Sequence, residues 1–364
     1  MIRIGILYGG RSLEHDVSLC SAASVVSAID KDKYEIIAVG IDRDGKWYVQ
    51  EEPVIEIDKN FGKVLALKRR GRWFVNHFED DMKLNLYNLD NNEKIELDVV
   101  FPVIHGSFCE DGKIQGLLEL AMVPYVGADV KGSVVAMDKD VTKRLLRDAN
   151  IPVVPWIFLS SMEWCNYSNN VEMIVEELGL PLFVKPSNTG SSVGVMKVSE
   201  ENELLAAIKY SFTFDNTVII EKSINCREIE CAVLGNHFPE VSMLGEIIPH
   251  HEFYSYEAKY IDPDGAELRI PAQISKELAD EIRQTAGEAY RILCCRGMAR
   301  VDFFVEKDES AYYINEINTI PGFTNISMYP KLWESAGLSY SDLIDKLITL
   351  AFQSHQERVK IKSY

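Results

Sequence analysis

The sequence predicts a mixed α/β protein in which an open parallel sheet at the N-terminus is followed by two α+β regions. Strands and helices alternate through the first part of the chain, which is typical of a parallel sheet. From about Glu221 onwards strands become frequent again, and some pair into a predicted hairpin. The 364 residues, of which 47% are hydrophobic, suffice for two or three domains. We place these domains at 1–127, 128–221 and 222–364.

The first domain contains strands and helices in turn. Strands are predicted at IRIGILYGG, YEIIAVGID, LDVVFPVIHG and YVGAD, and helices at SLEHDVSLCSAASVVSAID and KIQGLLELA. We interpret the charged stretch 43–97 as strands and loops that decorate this domain. Ligands of an open parallel sheet gather at the carboxyl ends of its strands, where Gly9, Gly10 and His105 lie.

The other two domains have their own series of elements. In the central domain we predict a basic helix at DKDVTKRLLRDAN, a strand–loop–strand unit at PLFVKPSNTGSSVGVMKV, a helix at ENELLAAIKYSF and a strand at TVIIEKSI. In the last domain strands are predicted at EIECAVLG, ARVDFFVEK and AYYINEIN, and helices at KELADEIRQTAGEAYRIL and YSDLIDKLITLAFQSHQERV.

Composition and charge exclude several classes of protein. The net charge of −18 argues against nucleic-acid binding, which needs Lys and Arg to neutralise phosphates. No apolar run approaches the roughly 18–20 residues that span a bilayer, and the N-terminus lacks the cleavage pattern of a signal peptide. Seven scattered cysteines without a CxxC pair fit reduced thiols. We therefore expect a cytoplasmic protein that contacts neither nucleic acid nor a membrane.

The stretch ARVDFFVEKDESAYYINEIN predicts a hairpin with acidic residues on one face. Successive strand residues point to opposite faces, so Arg300 and Asp302 share one face, and Glu316 and Asn318 share a face of the next strand. With a turn at KDES the hairpin presents Asp302, Glu316 and Asn318 together, and such oxygen ligands suit Mg²⁺. Taken alone, the pattern favours an ordinary solvated sheet face.

The segment KPSNTGSSVGV adds a possible phosphate site. Lys185 ends a strand, and the small residues from Gly190 to Gly194 would let backbone N–H groups approach phosphate oxygens. The order of residues is not that of a P-loop, and such a loop is most often only a turn. GILYGG lacks GxGxxG, so a dinucleotide site is not predicted. Because the chain is acidic, ATP binding would require Mg²⁺ and a few well-placed lysines.

Together these segments resemble the D-alanine–D-alanine ligase family of the ATP-grasp fold. The matching stretches are GGRSLEHDVS, HGSFCEDGKIQG, MDKD, KPSNTGSSVGV, IIEKSI, YEAKY, ARVD and NEINTIPGFT, and they follow one another along most of the chain. The tail PGFTNISMYPKLW is most like the longer ligases. The resemblance implies an N-terminal domain followed by two domains that clasp ATP. It also implies a homodimer that makes D-alanyl-D-alanine for peptidoglycan precursors.

In the implied reaction ATP phosphorylates the carboxylate of one D-alanine, and the amine of a second attacks the acyl phosphate. Two Mg²⁺ (or Mn²⁺) ions would lie between Asp302, Glu316 and Asn318 and the phosphates. The implied ATP-binding residues are Lys139 and Lys185 at the phosphates, Glu221 with the backbone of Lys222 and Ile224 at the adenine edge, Glu228 at the ribose, Phe183 and Phe304 flanking the base, and Lys259. For the two phenylalanines, ordinary core packing is the alternative.

The resemblance also implies catalytic and substrate-binding residues. Arg300 and the Gly322 N–H would form an oxyanion hole, although Arg300 beside Asp302 also suits a structural ion pair. The other implied roles are Glu14 at the first substrate's ammonium, Ser191 and Tyr260 near the second substrate, His105 near the first carboxylate, and Ser327 and Met328 at the second carboxylate. Each has a structural alternative. Glu14 would be a helix N-terminal acid, and Ser191 a loop hydroxyl. Tyr260 would be a half-exposed aromatic, and His105 a structural histidine.

Two residues of these motifs bear on the choice of second substrate and on local backbone strain. EAKY with Tyr260 is the pattern of the dipeptide-forming members, so we expect D-alanine as the second substrate, with D-serine or D-lactate as the alternative. Cys109 stands where the family usually has Gly. If that position has φ > 0, Cys costs about 1 kcal/mol of strain there.

Three other functions remain as alternatives. A ligase for other carboxylates and amines would keep the metal ligands and Lys185 but need not keep Glu14 or Tyr260. A regulator without turnover would be expected to lose a metal ligand or Arg300, and none is lost. A dehydrogenase would need the absent dinucleotide fingerprint.

Overall fold

The computed structural model describes residues 1–76, 82–167, 171–250 and 265–360. The strands are β1 (Ile2–Gly9), β2 (Tyr34–Ile41), β3 (Trp47–Val49), β4 (Ile55–Asp58), β5 (Gly62–Leu65), β6 (Trp73–Asn76), β7 (Leu84–Asn88), β8 (Lys94–Leu97), β9 (Val99–Pro102), β10 (Trp156–Ser160), β11 (Leu182–Pro186), β12 (Met196–Val198), β13 (Thr217–Lys222), β14 (Cys226–Leu234), β15 (Glu240–Pro249), β16 (Ala266–Arg269), β17 (Met298–Glu306) and β18 (Tyr312–Asn318).

The helices lie between and after these strands. They are α1 (His15–Ala28), α2 (Lys113–Leu120), α3 (Val130–Met137), α4 (Lys139–Asp148), α5 (Ser161–Tyr167), α6 (Val171–Leu178), α7 (Glu201–Ser211), α8 (Lys276–Ile292), α9 (Met328–Ser335) and α10 (Tyr340–Lys360). Within the described ranges, no helix is both long enough and apolar enough to cross a membrane.

Three larger sheets follow one another along the chain. The first has the order β3-β2-β1-β9, with β1 parallel to both β2 and β9, as the alternation of strands and helices predicts. The second, β10-β13-β11-β12, and the third, β16-β15-β14-β17-β18, are antiparallel. Two small sheets, β4-β5 and β6-β7-β8, fall within the stretch interpreted as decoration. The predicted α/β and α+β fold class is therefore confirmed, whereas the domain boundaries stay a proposal.

One predicted strand is wrong, and several elements were not predicted. In YVGAD only Tyr125 makes an isolated bridge, to Val100. The chain leaves the sheet there because Gly127 adopts φ 103° and the Asp129 carboxylate accepts a hydrogen bond from the Gly132 N–H at the start of α3. Among the elements missed by sequence reasoning are α3, β10, β15, β16 and α9, which lie next to predicted elements and depend on them for their partners.

The last part of the chain completes the core of the first sheet. The Phe323 ring meets the edge of Phe101 on β9 with 5.7 Å between centroids, and it also stacks on Tyr340. Leu343 and Leu347 on α10 are fully buried in the same hydrophobic cluster. Burial of this apolar surface fixes the segment 320–331, which precedes α10, against the carboxyl ends of the first strands.

We predict that Leu347→Ala destabilises the whole protein by about 2–5 kcal/mol, because a large-to-small change in a packed core leaves a cavity. The measurement is the free energy of unfolding in urea. The control is Phe238→Ala, at a side chain that is 94% exposed, which should change stability little. Equal effects of the two changes would contradict this account of α10.

Candidate active site

A cavity of about 290 Å³ lies where the first sheet, the Gly/Ser loop and the third sheet meet. Its walls come from the loops after β1 and β9, from residues 190–191, from strands β14, β17 and β18, and from the segment 320–331. Of the residues predicted for the site, it is lined by Glu14, His105, Ser191, Glu228, Arg300, Asp302, Phe304, Glu316, Asn318, Gly322, Ser327 and Met328.

Strands β17 and β18 form the predicted hairpin. Asp302 pairs with Glu316, and Arg300 pairs with Asn318. A bulge after Asp302 leaves Asn315 as an extra residue on β18, where it also lines the cavity. The Asn318 side-chain amide donates a hydrogen bond to Asp302 at 3.0 Å. The structure thus brings together the three residues that the alternation placed on one face.

Arg300 links this hairpin to the neighbouring strand β14. Its Nε and Nη2 donate to the two carboxylate oxygens of Asp302 at 2.7 and 2.6 Å, and Nε lies 3.1 Å from a Glu230 oxygen. Burial alone would lower the pKa of Arg300, but Asp302 and Glu230 raise it well above its usual value. Nη1 makes no hydrogen bond to the described residues and is free to reach a ligand. The structural ion pair foreseen as the alternative is therefore present, inside the cavity.

Glu221, which the resemblance places at the adenine edge, lies between two lysines. Lys143 Nζ is 2.7 Å from one carboxylate oxygen, and Lys185 Nζ is 2.5 Å from the other. Burial alone would raise the pKa of Glu221, but the two lysines outweigh it and lower the pKa to about 2. Two ammonium groups around one carboxylate leave one net positive charge, which favours an anionic ligand nearby.

The two predicted phosphate lysines approach the hairpin from the central region. Lys185 Nζ lies 5.9 Å from the ring centroids of both Phe183 and Phe304, and 3.5 Å from Asn315 Oδ1. Lys139 Nζ donates to the Thr189 carbonyl at 2.6 Å and lies 3.6 Å from Glu316. The side chains predicted for phosphate, base and metal therefore converge on one place.

The hairpin has the donor types that Mg²⁺ prefers. Asp302, Glu316 and Asn318 supply two carboxylates and one amide, and Mg²⁺ usually takes one or two carboxylates together with substrate phosphates and water. Across the described ranges no three His, Cys, Asp or Glu side chains form a metal-binding group.

On the opposite wall, Glu14 and Ser191 form a hydrogen-bonded pair. The Ser191 hydroxyl donates to Glu14, which is buried although it lies at the start of α1. Glu14 is the N-cap residue of α1, as the alternative of a helix N-terminal acid requires, but its carboxylate makes no capping hydrogen bond to the helix. A Cβ at Gly106 would collide with that carboxylate, and one at Gly190 would lie 3.2 Å from it. These two glycines make room for a buried carboxylate facing the cavity.

His105 holds the turn that follows β18. Its Nδ1–H donates to the Ile320 carbonyl at 3.1 Å, and its Nε2 lies 2.9 Å from the Ser21 hydroxyl. The Ser21 oxygen in turn accepts the Phe323 N–H at 3.3 Å. Burial, together with nearby Arg300, lowers the pKa of His105 to about 4. The imidazole is therefore neutral at pH 7, and both of its nitrogens are engaged within the protein.

The turn held in this way presents Gly322 to the cavity. A Cβ on Gly322 would lie only 2.6 Å from the Ser327 hydroxyl, so a larger residue would displace it. That hydroxyl lies 3.0 Å from the Thr324 N–H and 2.8 Å from the Thr324 hydroxyl. Next along the chain, Met328 is buried against Gly245 on β15. The segment that resembles the second substrate's site is thus held by several contacts within the protein.

The remaining predicted residues are placed as follows. Lys222 is exposed, and its N–H donates to the Pro155 carbonyl at 3.1 Å, while Ile224 is half-buried. Lys259 and Tyr260 lie outside the described residues. Cys109 is buried with an ordinary backbone conformation, so the predicted strain is absent there. The neighbouring Phe108 has φ 73° instead.

Sequence reasoning missed several residues of the site. Glu110 is buried between the cavity and Lys139, and its carboxylate accepts the Gly106 N–H at 2.9 Å. Burial and the nearby Glu14 raise the pKa of Glu110 to about 8. Further missed residues are Lys143, Glu230, Asn315, Thr324 and Lys331. A signal existed for two of them, since Lys143 follows Lys139 by one helical turn and Glu230 shares a strand face with Glu228.

The sequence of this chain matches known proteins over nearly its whole length. Residues 3–128 match the family model described as D-ala D-ala ligase N-terminus, and residues 145–349 match D-ala D-ala ligase C-terminus. The chain is 46% identical over 363 residues to a D-alanine–D-alanine ligase of Oceanobacillus iheyensis, and the match covers 99% of this chain and 98% of the relative.

Solved structures agree with these matches. The D-alanine–D-alanine ligase of Coxiella burnetii has a TM-score of 0.81 at 39% identity, covering 99% of this chain and 96% of the other. The VanG D-Ala:D-Ser ligase of Enterococcus faecalis has a TM-score of 0.80 at 35% identity, covering 96% and 99%. The ATP complex of a Bacillus anthracis D-alanine–D-alanine ligase has a TM-score of 0.73 at 28% identity, covering 98% and 100%.

The fold and the cleft define an ATP-grasp enzyme, with the cavity where the N-terminal sheet, the Gly/Ser loop and the third sheet meet. More narrowly, the two family models and the relative of 46% identity cover almost the entire sequence. The chain belongs to the D-alanine–D-alanine ligase family.

We predict that His105 stays neutral from pH 9 down to about pH 5, because its pKa of about 4 lies below this range. In the unfolded chain the pKa is near 6.5. Stability contributed by neutral His105 is therefore present above pH 6.5 and is lost as the pH falls through 4, by up to about 3 kcal/mol.

The measurement is the ¹⁵N chemical shift of the two imidazole nitrogens, assigned by comparison with His105→Gln. That variant should also lose less stability than the wild type between pH 6.5 and 4. An imidazole that titrates with a midpoint above pH 6 would contradict the assignment of its hydrogen bonds.

Proposed function

We infer that this chain is an ATP-dependent carboxylate–amine ligase that joins two D-alanine molecules. ATP phosphorylates the carboxylate of the first, the amine of the second attacks the acyl phosphate, and the products are D-alanyl-D-alanine, ADP and phosphate. The observation that supports this most is the placement of the Glu14–Ser191 pair in the same cavity as the Asp302–Glu316 hairpin. One wall suits an amino acid's ammonium, and the other suits a nucleotide's phosphates. Such a product serves cell-wall peptidoglycan synthesis.

For ATP, the solved Bacillus anthracis complex supports the nucleotide, and the positions of several side chains support its orientation. Lys139 and Lys185 would contact the phosphates, where their ammonium groups offset the negative charge of the cleft. Phe183 and Phe304 would flank the base, since both rings face the same ammonium group of Lys185. Glu228, beside Phe304 in the sheet register, would accept the ribose hydroxyls.

At the edge of the base, Glu221 would accept a hydrogen bond from the adenine amino group. Each of its oxygens already accepts from a lysine, but a carboxylate oxygen has a second lone pair for another donor. The backbone of Lys222 and Ile224 would contact the ring, with the Lys222 carbonyl rather than its N–H, because that N–H already donates to Pro155. Lys259, by resemblance, also contacts ATP.

We further propose that Asp302, Glu316 and Asn318 hold two Mg²⁺ (or Mn²⁺) ions. When bound, these ions would neutralise charge on the transferring phosphoryl group and align it with the carboxylate. The hairpin presents the side chains on one face, and Lys139 beside Glu316 limits the repulsion between the acids before the nucleotide arrives. Phosphate oxygens and water would complete the coordination.

The proposed catalytic roles follow from the position of each group in the cavity and from the hydrogen bonds that it makes. Glu14, oriented by Ser191, would bind the ammonium of the first D-alanine. By resemblance, Ser191 and Tyr260 would act near the second substrate. Arg300, through its free Nη1, and the Gly322 N–H would stabilise the oxyanion formed when the amine attacks. His105 acts through the Ile320 carbonyl as a positioning residue for that turn. Ser327 and Met328 would border the second substrate's carboxylate.

The alternative of a D-alanine–D-serine or D-alanine–D-lactate ligase is not favoured. The relative of 46% identity is named a D-alanine–D-alanine ligase, whereas the VanG D-Ala:D-Ser ligase is 35% identical. We also propose that the chain forms a homodimer and acts in the cytoplasm. The resemblance supports the first, and the free thiols of the described cysteines support the second.

We predict ADP release that depends on both D-alanine and Mg²⁺. The measurement compares D-alanine, D-serine, D-lactate and L-alanine, each with and without Mg²⁺, in a coupled assay. D-alanine should be the preferred second substrate at neutral pH, and L-alanine should be inactive. Absence of D-alanine-dependent release would refute the ligase function, and faster incorporation of D-serine or D-lactate would refute the specificity.

We predict that Glu316→Gln lowers kcat at least about 100-fold, because an amide removes the negative charge that holds a divalent cation. The matched control is Glu334→Gln, the same change at an exposed position on α9. Circular dichroism and the thermal midpoint should be nearly unchanged in both variants. A fully active Glu316→Gln enzyme would overturn the metal assignment.

A further inference from the structure

The cavity is strongly acidic, and this creates a problem for the second substrate. Besides Glu110, whose pKa of about 8 leaves it mostly protonated at pH 7, five carboxylates line it: Glu14, Glu228, Glu230, Asp302 and Glu316. If the proposed function holds, a D-alanine must enter with its own carboxylate, which these groups repel. A cation at the acceptor end of the cavity would offset that repulsion.

The cations already assigned to the site are committed elsewhere. Two nitrogens of Arg300 are engaged by Asp302, and Glu230 shares its charge. Lys139 lies beside Glu316, and Lys185 lies against Glu221, both on the nucleotide side. The remaining Arg300 nitrogen, Nη1, is assigned to the oxyanion, so none of the three cations is left to balance a carboxylate near Ser327.

Lys331 is the remaining cation on the cavity wall in the described part of the chain. It lines the cavity together with Thr324, Ile326 and Ser327, and its side chain is partly buried. It makes no ion pair or hydrogen bond with the described residues, although the protein has far more acidic than basic side chains. An unpaired lysine beside an acidic cavity has an ammonium group available for a ligand.

The backbone beneath Lys331 is well fixed. Lys331 lies one turn after Ser327, which precedes the first residue of α9, so both lie on the same side of the helix. Met328 anchors that turn against Gly245, and Leu332 is fully buried. The Ser327 hydroxyl is already hydrogen-bonded to Thr324. Because a hydroxyl is neutral, Ser327 has no charge to balance a substrate carboxylate.

We propose that the Lys331 ammonium binds the carboxylate of the second D-alanine and thereby makes the enzyme select acceptors that have an α-carboxylate. This inference rests on the proposed ligase function. Because D-serine and D-lactate have the same carboxylate, Lys331 does not distinguish them from D-alanine. It distinguishes all three from an amine of the same shape without a carboxylate.

The experiment compares D-alanine with D-alaninamide as acceptors, in wild-type enzyme, Lys331→Met and Lys331→Arg. D-alaninamide has no carboxylate to phosphorylate, so it can react only as the second substrate. Isotope-labelled D-alanine serves as donor, and mass spectrometry gives the ratio of dipeptide to dipeptide amide. The apparent KM for D-alanine as acceptor is measured in the same variants. Lys307→Met, in the exposed turn between β17 and β18, is the control.

We expect Lys331→Met to raise the acceptor KM for D-alanine about tenfold or more and to lower the product ratio by a similar factor, which is the size expected of a hydrogen bond between charged groups. The KM for ATP should not change, and Lys331→Arg should recover most of the loss. An unchanged acceptor KM, or equal losses with D-alanine and D-alaninamide, would overturn the proposal. Wild-type enzyme without D-alanine-dependent ADP release would instead refute the ligase function itself.

Discussion

The ion pairs of Arg300 with Asp302 and Glu230 are the interaction on which the rest of the site depends. They neutralise part of the charge of a cavity lined by several carboxylates, which would otherwise repel one another in a poorly solvated site. They also join β14 to the hairpin of β17 and β18, so one side chain of the cavity wall holds the acidic face in place.

Pairing of buried carboxylates with cationic side chains is found again at the nucleotide end of the cleft. Glu221 is held between Lys143 and Lys185, and this buried group has one net positive charge in a protein whose overall charge is −18. The summed charge of these three side chains is therefore opposite in sign to the net charge of the whole molecule. Such an arrangement lets an acidic protein attract phosphates without becoming basic on its surface. The lysines are held by burial and ion pairing before any nucleotide binds.

Packing of the C-terminal part of the chain connects these charges to the rest of the fold. Phe323 sits in the core of the first sheet, and Ser21 and His105 bind the turn just before it. Gly322 thus takes its place because residues from the two ends of the sequence meet there. Neutral His105 suits this role, since a charged imidazole in this buried place beside Arg300 would repel the guanidinium.

The sequence by itself determined the elements with a strong local pattern and the residues that share a strand face, because side-chain direction repeats every two residues in a strand. The grouping of Asp302, Glu316 and Asn318 belongs here, as does the resemblance of the ordered motifs to one family. Only the tertiary structure decided which charges meet. The contact of Glu230 with Arg300, of Lys143 with Glu221, and the place of Lys331 on the cavity wall all join segments far apart in the chain. Local periodicity contains no information about such long-range pairing, because it depends on how the sheets and helices pack together.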